Sequence, residues 1–305
     1  MKSDSELMNE LAHRTNYLHE TTQEESALIK STLVQMYVDV QNLCNKHGLR
    51  LMLGGGSCLG AVRHKGFIPW DDDLDAMIPR CDYEQLIRLL EQGELGDKYE
   101  FSVPNPNTEC VNTFLKIYLK DTEYIDLFSI NTPFPKGLYI DVFAIDAAPK
   151  SALMRFIKGV ISNSLEFCTI LTQYAKYPSK ELREYMMLDK HLWRRYRLKC
   201  FLGTIVNIIP RYKWLWWFDR FALCNKESDY WTIPTGRKYY NGEIMPKKTF
   251  IPIVDGEFEG LTIHLPSDYD AYLKNLYGDY MNIPPIEKRE RHFIHKLILQ
   301  SNDNK

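Results

Sequence analysis

Four carboxylates stand within five positions, Asp71, Asp72, Asp73 and Asp75, and the last is followed by the apolar run Ala76-Met77-Ile78. Like charges this close repel one another, and burying an unpaired one is costly. A divalent cation held by the carboxylates removes the repulsion, so the stretch Leu51–Arg80 constrains the chain more than any other. If residues 71–78 are extended, Asp73 and Asp75 share one face while Leu74 takes the other, since strand side chains alternate. By the same parity Asp72 faces away. Asp71 either joins the pair or belongs to the loop after Pro69-Trp70. Two carboxylates side by side suit a hard cation such as Mg²⁺ or Mn²⁺.

The flanking sequence adds to this. Leu49–Leu53 reads as a short buried strand that runs into Gly54-Gly55-Gly56-Ser57. Glycines let the backbone turn sharply and approach a ligand, and Ser57 is placed to cap a following helix whose N–H groups face an anion. A basic trio, Arg63-His64-Lys65, follows. Further on, Gly137–Phe143 is a strand in which a lone Asp141 sits among apolar and aromatic residues. Either Asp141 is satisfied by backbone N–H groups, or strand pairing brings it beside Asp73 and Asp75 as a third carboxylate.

Other segments supply the scaffold. Thr22 and Glu25 have capping-box spacing before a helix whose Ile29, Leu33, Met36, Val40 and Leu43 form a stripe that ends at Gly48. Asp82 is expected to cap a second helix carrying Tyr83, Leu86 and Leu90, and residues 100–103 and 114–119 read as strands. Residues 1–21 are polar and expected to be flexible. From 151 to 235 the pattern becomes helical, basic and aromatic, which marks an insertion after a core at 22–150; residues 236–305 return to β signals and complete the domain. There Asp255-Gly256 reads as a hairpin turn, Ser267 with Asp270 as a capping box, and Arg289–His295 as part of a last helix. The Trp-rich segment 211–221 fits interhelical packing, an acceptor wall or a peripheral membrane contact.

A net charge of −2 gives no general drive toward nucleic acid. Seven scattered cysteines without a CxxC pair point to a reducing compartment. With no signal-peptide pattern and no long apolar span, the expected location is cytoplasmic, at most peripheral to the inner face of the membrane.

A strand with a Gly-rich turn, an Asp-x-Asp strand and a third Asp resemble the nucleotidyltransferase superfamily. At closer range GGGSCLGAVRHKGFIPWDDDLDAMIPRCDYE (54–84), GLYIDVFAID (137–146) and FEGLTIHLPSDYDAYLKNLYGDYMNIPP (258–285) resemble the LicD family of phosphotransferases, which has fukutin-type relatives. The resemblance implies an α+β fold, a nucleotidyltransferase-like mixed sheet flanked by helices. It also implies transfer of a phospho-alcohol, typically phosphocholine, from a CDP-linked donor to a hydroxyl of a surface glycan such as lipopolysaccharide, teichoic acid or capsule. By motif, Asp73, Asp75 and Asp141 are the implied catalytic and metal-holding residues, and Gly55, Gly56 and Ser57 the phosphate-side turn. Asp71, Arg63, His64, Lys65 and Lys116 are the further substrate-binding candidates. Transfer of a nucleotidyl group, or a non-catalytic glycan- or membrane-binding module, are the competing readings.

Overall fold

The computed structural model describes residues 4–105, 112–223, 227–289 and 292–299. The first helix, α1 (Asp4–Leu11), buries Met8 and Leu11 against Leu127, Leu182, Tyr185 and Tyr196. A few apolar side chains in polar surroundings give little periodicity, yet they anchor this short helix. In α2 (Gln23–Lys46) the capping box forms, with Thr22 Oγ1 accepting from Glu25 N and the Glu25 carboxylate accepting from Thr22 N. Its Ile29, Leu33, Met36, Val40 and Leu43 are buried, each such side chain stabilising the fold by roughly 1.5–3 kcal/mol.

The sheet begins with β1 (Met52–Leu53), shorter than the strand expected over 49–53, and passes through α3 (Gly55–His64) to β2 (Asp75–Pro79). Then come α4 (Arg80–Glu91), β3 (Tyr99–Ser102), β4 (Leu115–Leu119), β5 (Glu123–Asp126) and β6 (Tyr139–Ala147). The sheet order is β1-β2-β6-β4-β3. Strands β2 and β6 run parallel, whereas β1–β2, β6–β4 and β4–β3 are antiparallel. The result is the expected α+β fold with a mixed sheet. Asp82 does not cap α4; it lies inside the first turn, where its carboxylate accepts from the backbone N–H and guanidinium of Arg50.

Four helices follow: α5 (Ala152–Lys176), α6 (Lys180–Met186), α7 (Lys190–Val206) and α8 (Arg211–Ala222). The chain rejoins the sheet at β7 (Tyr230–Thr232), which pairs with the end of β6. Tyr239–Gly242, expected as β, is a short helix, α9, before β8 (Met245–Pro246), which pairs with β7. Strands β9 (Val254–Phe258) and β10 (Leu261–Leu265) form a hairpin. Its turn is Glu259-Gly260, both at positive φ, and Asp255-Gly256 lies within β9. Helix α10 (Tyr269–Tyr277) is capped by Asp268 in place of Ser267. The segment expected as a last helix contains β11 (Ile294–Ile298), paired with β5; Arg291, read as part of that helix, lies outside the described residues.

Candidate active site

The parallel pairing of β2 with β6 sets Asp75 opposite Asp141, and the antiparallel pairing of β6 with β4 sets Asp141 opposite Lys116. One row across three strands therefore reads Asp75, Asp141, Lys116. Asp71 and Asp73 join Asp75 and Asp141 around a cavity of about 530 Å³ that is also lined by Gly54, Gly55 and Gly56. Regular strand begins at Asp75, so Asp73 stands in the preceding loop, yet it lines the same cavity as Asp75 while Leu74 between them is buried in the core. Asp72 lines no part of this cavity; it accepts from Tyr124 Oη at 2.9 Å and contacts His292 Nδ1 at 2.5 Å.

The glycines are required by contact with the acids themselves. Gly55 has φ +45°, and a Cβ there would lie 2.7 Å from Asp75 Oδ2; at Gly56 a Cβ would lie 2.9 Å from Asp71 Oδ2. These two residues open α3, so the N-terminus of the helix, with its partial positive charge, abuts the carboxylates. The N–H of Gly55 donates to Tyr272 Oη of α10. Ser57, expected in the phosphate-side turn, is buried one position further along the helix, and its Oγ accepts from Asp75 N at 2.9 Å. Its role is to seat the first residue of β2.

None of the basic trio lines this cavity, but Arg63 lines an adjoining one of about 200 Å³ with Gly56, Asp71 and Arg237. A helix rises ~1.5 Å per residue, so Arg63 lies about 10–12 Å along α3 from the glycines. Arg63 donates to Tyr280 O and to His64 Nε2, and Lys65 is exposed in the left-handed C-cap. The cations facing the acids are Lys116 and His292, and Arg237 also lines the cavity. Lys116 Nζ is 2.7 Å from Asp141 Oδ1 and 3.0 Å from Oδ2, only the latter in hydrogen-bonding geometry, and stands 3.4 Å from the Tyr139 ring centroid. His292 Nε2 is 3.5 Å from Asp73 Oδ2. The three-residue spacing of His292 and His295 could suggest a ligand pair, but His295 bonds the Tyr17 carbonyl instead.

The electrostatics are those of an under-neutralised cluster. Burial, then Asp73, lifts Asp71 to about 9, and burial with Asp73, Asp141 and Asp71 lifts Asp75 well above the usual carboxylate range. Burial also raises Asp141 despite Lys116. Burial opposes the charge on His292, but Asp73, Asp72 and Asp71 together push it well above an ordinary imidazole.

Among the described residues no group of three Asp, Glu, His or Cys side chains is arranged to hold a metal ion. The carboxylates of Asp71, Asp73, Asp75 and Asp141 nonetheless line one cavity, and carboxylate oxygen is the donor type that a hard divalent cation takes. Such an ion would offset the burial and mutual repulsion that raise Asp71, Asp75 and Asp141.

Beyond Phe114 and Lys116 lies a second cavity of about 270 Å³. Its walls include Tyr118, Tyr124 and Tyr139, and from α5 the buried Glu166, whose Oε2 has no hydrogen-bond partner.

Residues 48–152, the segment holding all four carboxylates and Lys116, match the family profile described as LicD/FKTN/FKRP, nucleotidyltransferase domain. Over those residues the chain is similar to the LicD-type nucleotidyltransferase domain. It is 27% identical over 266 residues to the lipopolysaccharide cholinephosphotransferase LicD of Haemophilus influenzae, an alignment covering 84% of this chain and 91% of that protein. An uncharacterized protein of Rickettsia prowazekii is 38% identical over 93 residues, 30% of this chain and 34% of its own length. The family profile does not reach His292 or Arg237, which were not legible as site residues in the sequence either.

Proposed function

We propose that this chain is a LicD-type transferase of phosphorus-containing groups that moves a phospho-alcohol, phosphocholine or a close analogue, from a CDP-linked donor to a hydroxyl of a cell-surface glycan. The observation that carries the reading is the register of Asp75 with Asp141 in one cavity with Asp71 and Asp73, directly beside the Gly55-Gly56 helix start. The acceptor and the transferred group are carried over from the Haemophilus influenzae relative, whose name states both.

In the proposed reaction an acceptor hydroxyl attacks the distal phosphorus of the donor. The new P–O bond joins alcohol phosphate to glycan, the bond to CMP breaks, and a carboxylate of the cluster takes the hydroxyl proton. Asp73, Asp75 and Asp141 would hold Mg²⁺ or Mn²⁺, which supplies Lewis-acid stabilisation of the diphosphate charge. Gly55 and Gly56 leave room for the diphosphate, and Lys116, His292 and Arg237 offset charge on the transferring and leaving groups. The alcohol end of the donor would enter the second cavity.

The test is a thermal-shift titration with CDP-choline, CDP-ribitol and CDP-glycerol, each with and without Mg²⁺, followed by the mass of the modified glycan. The expected result is a rise of several degrees that needs both metal and one CDP donor, and a product heavier by the phospho-alcohol. A product heavier by CMP would overturn the proposal in favour of nucleotidyl transfer.

A further inference from the structure

Thirteen of the twenty-two large hydrophobic side chains exposed among the described residues lie on α5, α7, α8 or the residues just after α7. On α5, Leu153, Ile157, Val160 and Phe167 recur at helical spacing along the outer face, with Phe156 beside them at 62% exposure. Helix α7 adds Phe201, and Ile208 just beyond it is 84% exposed. The opposite face of α5, with Gly159, Ser162, Glu166 and Thr169, is the buried one. The amphipathicity is therefore inverted: the apolar stripe points away from the protein.

The charges on the same helices are one-sided. Helices α5, α7 and α8 carry three, five and three Lys or Arg, eleven in all, against two acids, Glu166 and Asp219. Both acids are buried, so the outward surface of these helices carries no carboxylate in a chain whose overall charge is −2. Arg194, Arg195 and Arg197 are exposed on α7, within two turns of Phe201. The Trp-rich helix contributes less than its composition suggests. In α8 Leu215 and Phe218 are buried, Trp214 donates to the Val206 carbonyl, and Trp216 lies under Arg220.

We infer that the outer face of α5 and α7 docks on an anionic lipid leaflet, with the apolar stripe in the headgroup–acyl boundary and the arginines against lipid phosphates. No helix among the described residues is long and apolar enough to cross a membrane, so the contact is interfacial. A second copy of the chain is the poorer occupant, because a twofold interface would set this cationic face against itself. The inference stands on the surface alone and goes beyond the transfer reading.

The test is sedimentation of the full chain with vesicles of phosphatidylcholine alone and of phosphatidylcholine with phosphatidylglycerol. Binding to the anionic vesicles is expected to be at least about tenfold tighter, and to fall in high salt as screening shortens the reach of the arginines. The double variant Phe156→Ser/Phe201→Ser should lose about tenfold in binding with an unchanged melting temperature, since both side chains are already in solvent. Met281→Ser, at an exposed site elsewhere, is the control and should bind as the wild type does. Equal binding by the double variant, or no preference for anionic lipid, overturns the inference. So does a dimer in analytical ultracentrifugation that the double variant dissolves. Asp75→Asn should leave vesicle binding intact, so failure of the docking face and failure of the transfer reading give different results.

Discussion

The two ends of the β2–β6 strand pair hold acids in opposite circumstances. At one end Asp75 and Asp141 meet Asp71 and Asp73, with Lys116 and His292 as the cations in contact. At the other, Arg80 directly follows β2 and grips Asp146 of β6 bidentately at 2.8 and 2.7 Å, with its remaining nitrogen 2.9 Å from Asp219 of α8. Arg220 adds a second cation to Asp219. Burial does not distinguish the ends, for it raises both Asp141 and Asp146 in spite of their cationic partners. The difference is the balance of charge. The Arg80 end is neutralised from within and fastens the helical segment to the sheet. The Asp75 end is left short of positive charge, with four acids against Lys116 and His292.

Three substitutions would break or sharpen that contrast. Asp75→Asn should lower transfer by about 10³-fold or more, yet raise the melting temperature of the metal-free protein, because one of four crowded acids is neutralised. Enzyme assay and calorimetry check the two halves, and a variant both active and destabilised would erase the distinction. Arg80→Met should do the reverse kind of damage. It strands Asp146 and Asp219 without a shared partner, costing about 3–5 kcal/mol and roughly 10 °C of melting temperature. Thermal denaturation measures this directly.

The smallest effect concerns a third kind of acid, Glu166, which burial lifts to about 7 with no charge partner. Between its ordinary value of 4.5 and about 7 the folded protein keeps a proton that the unfolded chain has released. The residue therefore costs stability as pH rises through that window, by at most about 3 kcal/mol. Glu166→Gln should match the wild type near pH 4.5 and melt higher at pH 8. Melting curves across that range test it, and a wild type that gains on the variant as pH rises would contradict the assigned burial effect.

What the sequence made legible follows from the range of the interaction. Asp141 stands out because a lone carboxylate in an apolar strand needs a reason, and the parallel register supplies one. The capping box at Thr22 and the stripe of α2 are local and were legible in full. Where the residues after the glycines go was not legible: Ser57 turns to Asp75 N, Arg63 reaches the Tyr280 carbonyl and a neighbouring cavity, and Lys65 ends exposed at the C-cap of α3. His292 was illegible for another reason. Its surroundings have helical spacing, and only pairing of β11 with the short β5 draws the segment out and delivers the imidazole to Asp72 and Asp73. The loop position of Asp73 was equally hidden, since side-chain alternation says nothing about where a strand begins.

His292 lies 220 positions beyond the Asp72 it touches. On the ribosome the acidic loop therefore emerges long before its imidazole partner, and during that interval the nascent carboxylates have the Gly55-Gly56 helix start and, later, Lys116 as their nearby positive neighbours. Assembly of the site is then a late event of synthesis, timed by the arrival of a distant segment more than by the folding of the sheet that bears it.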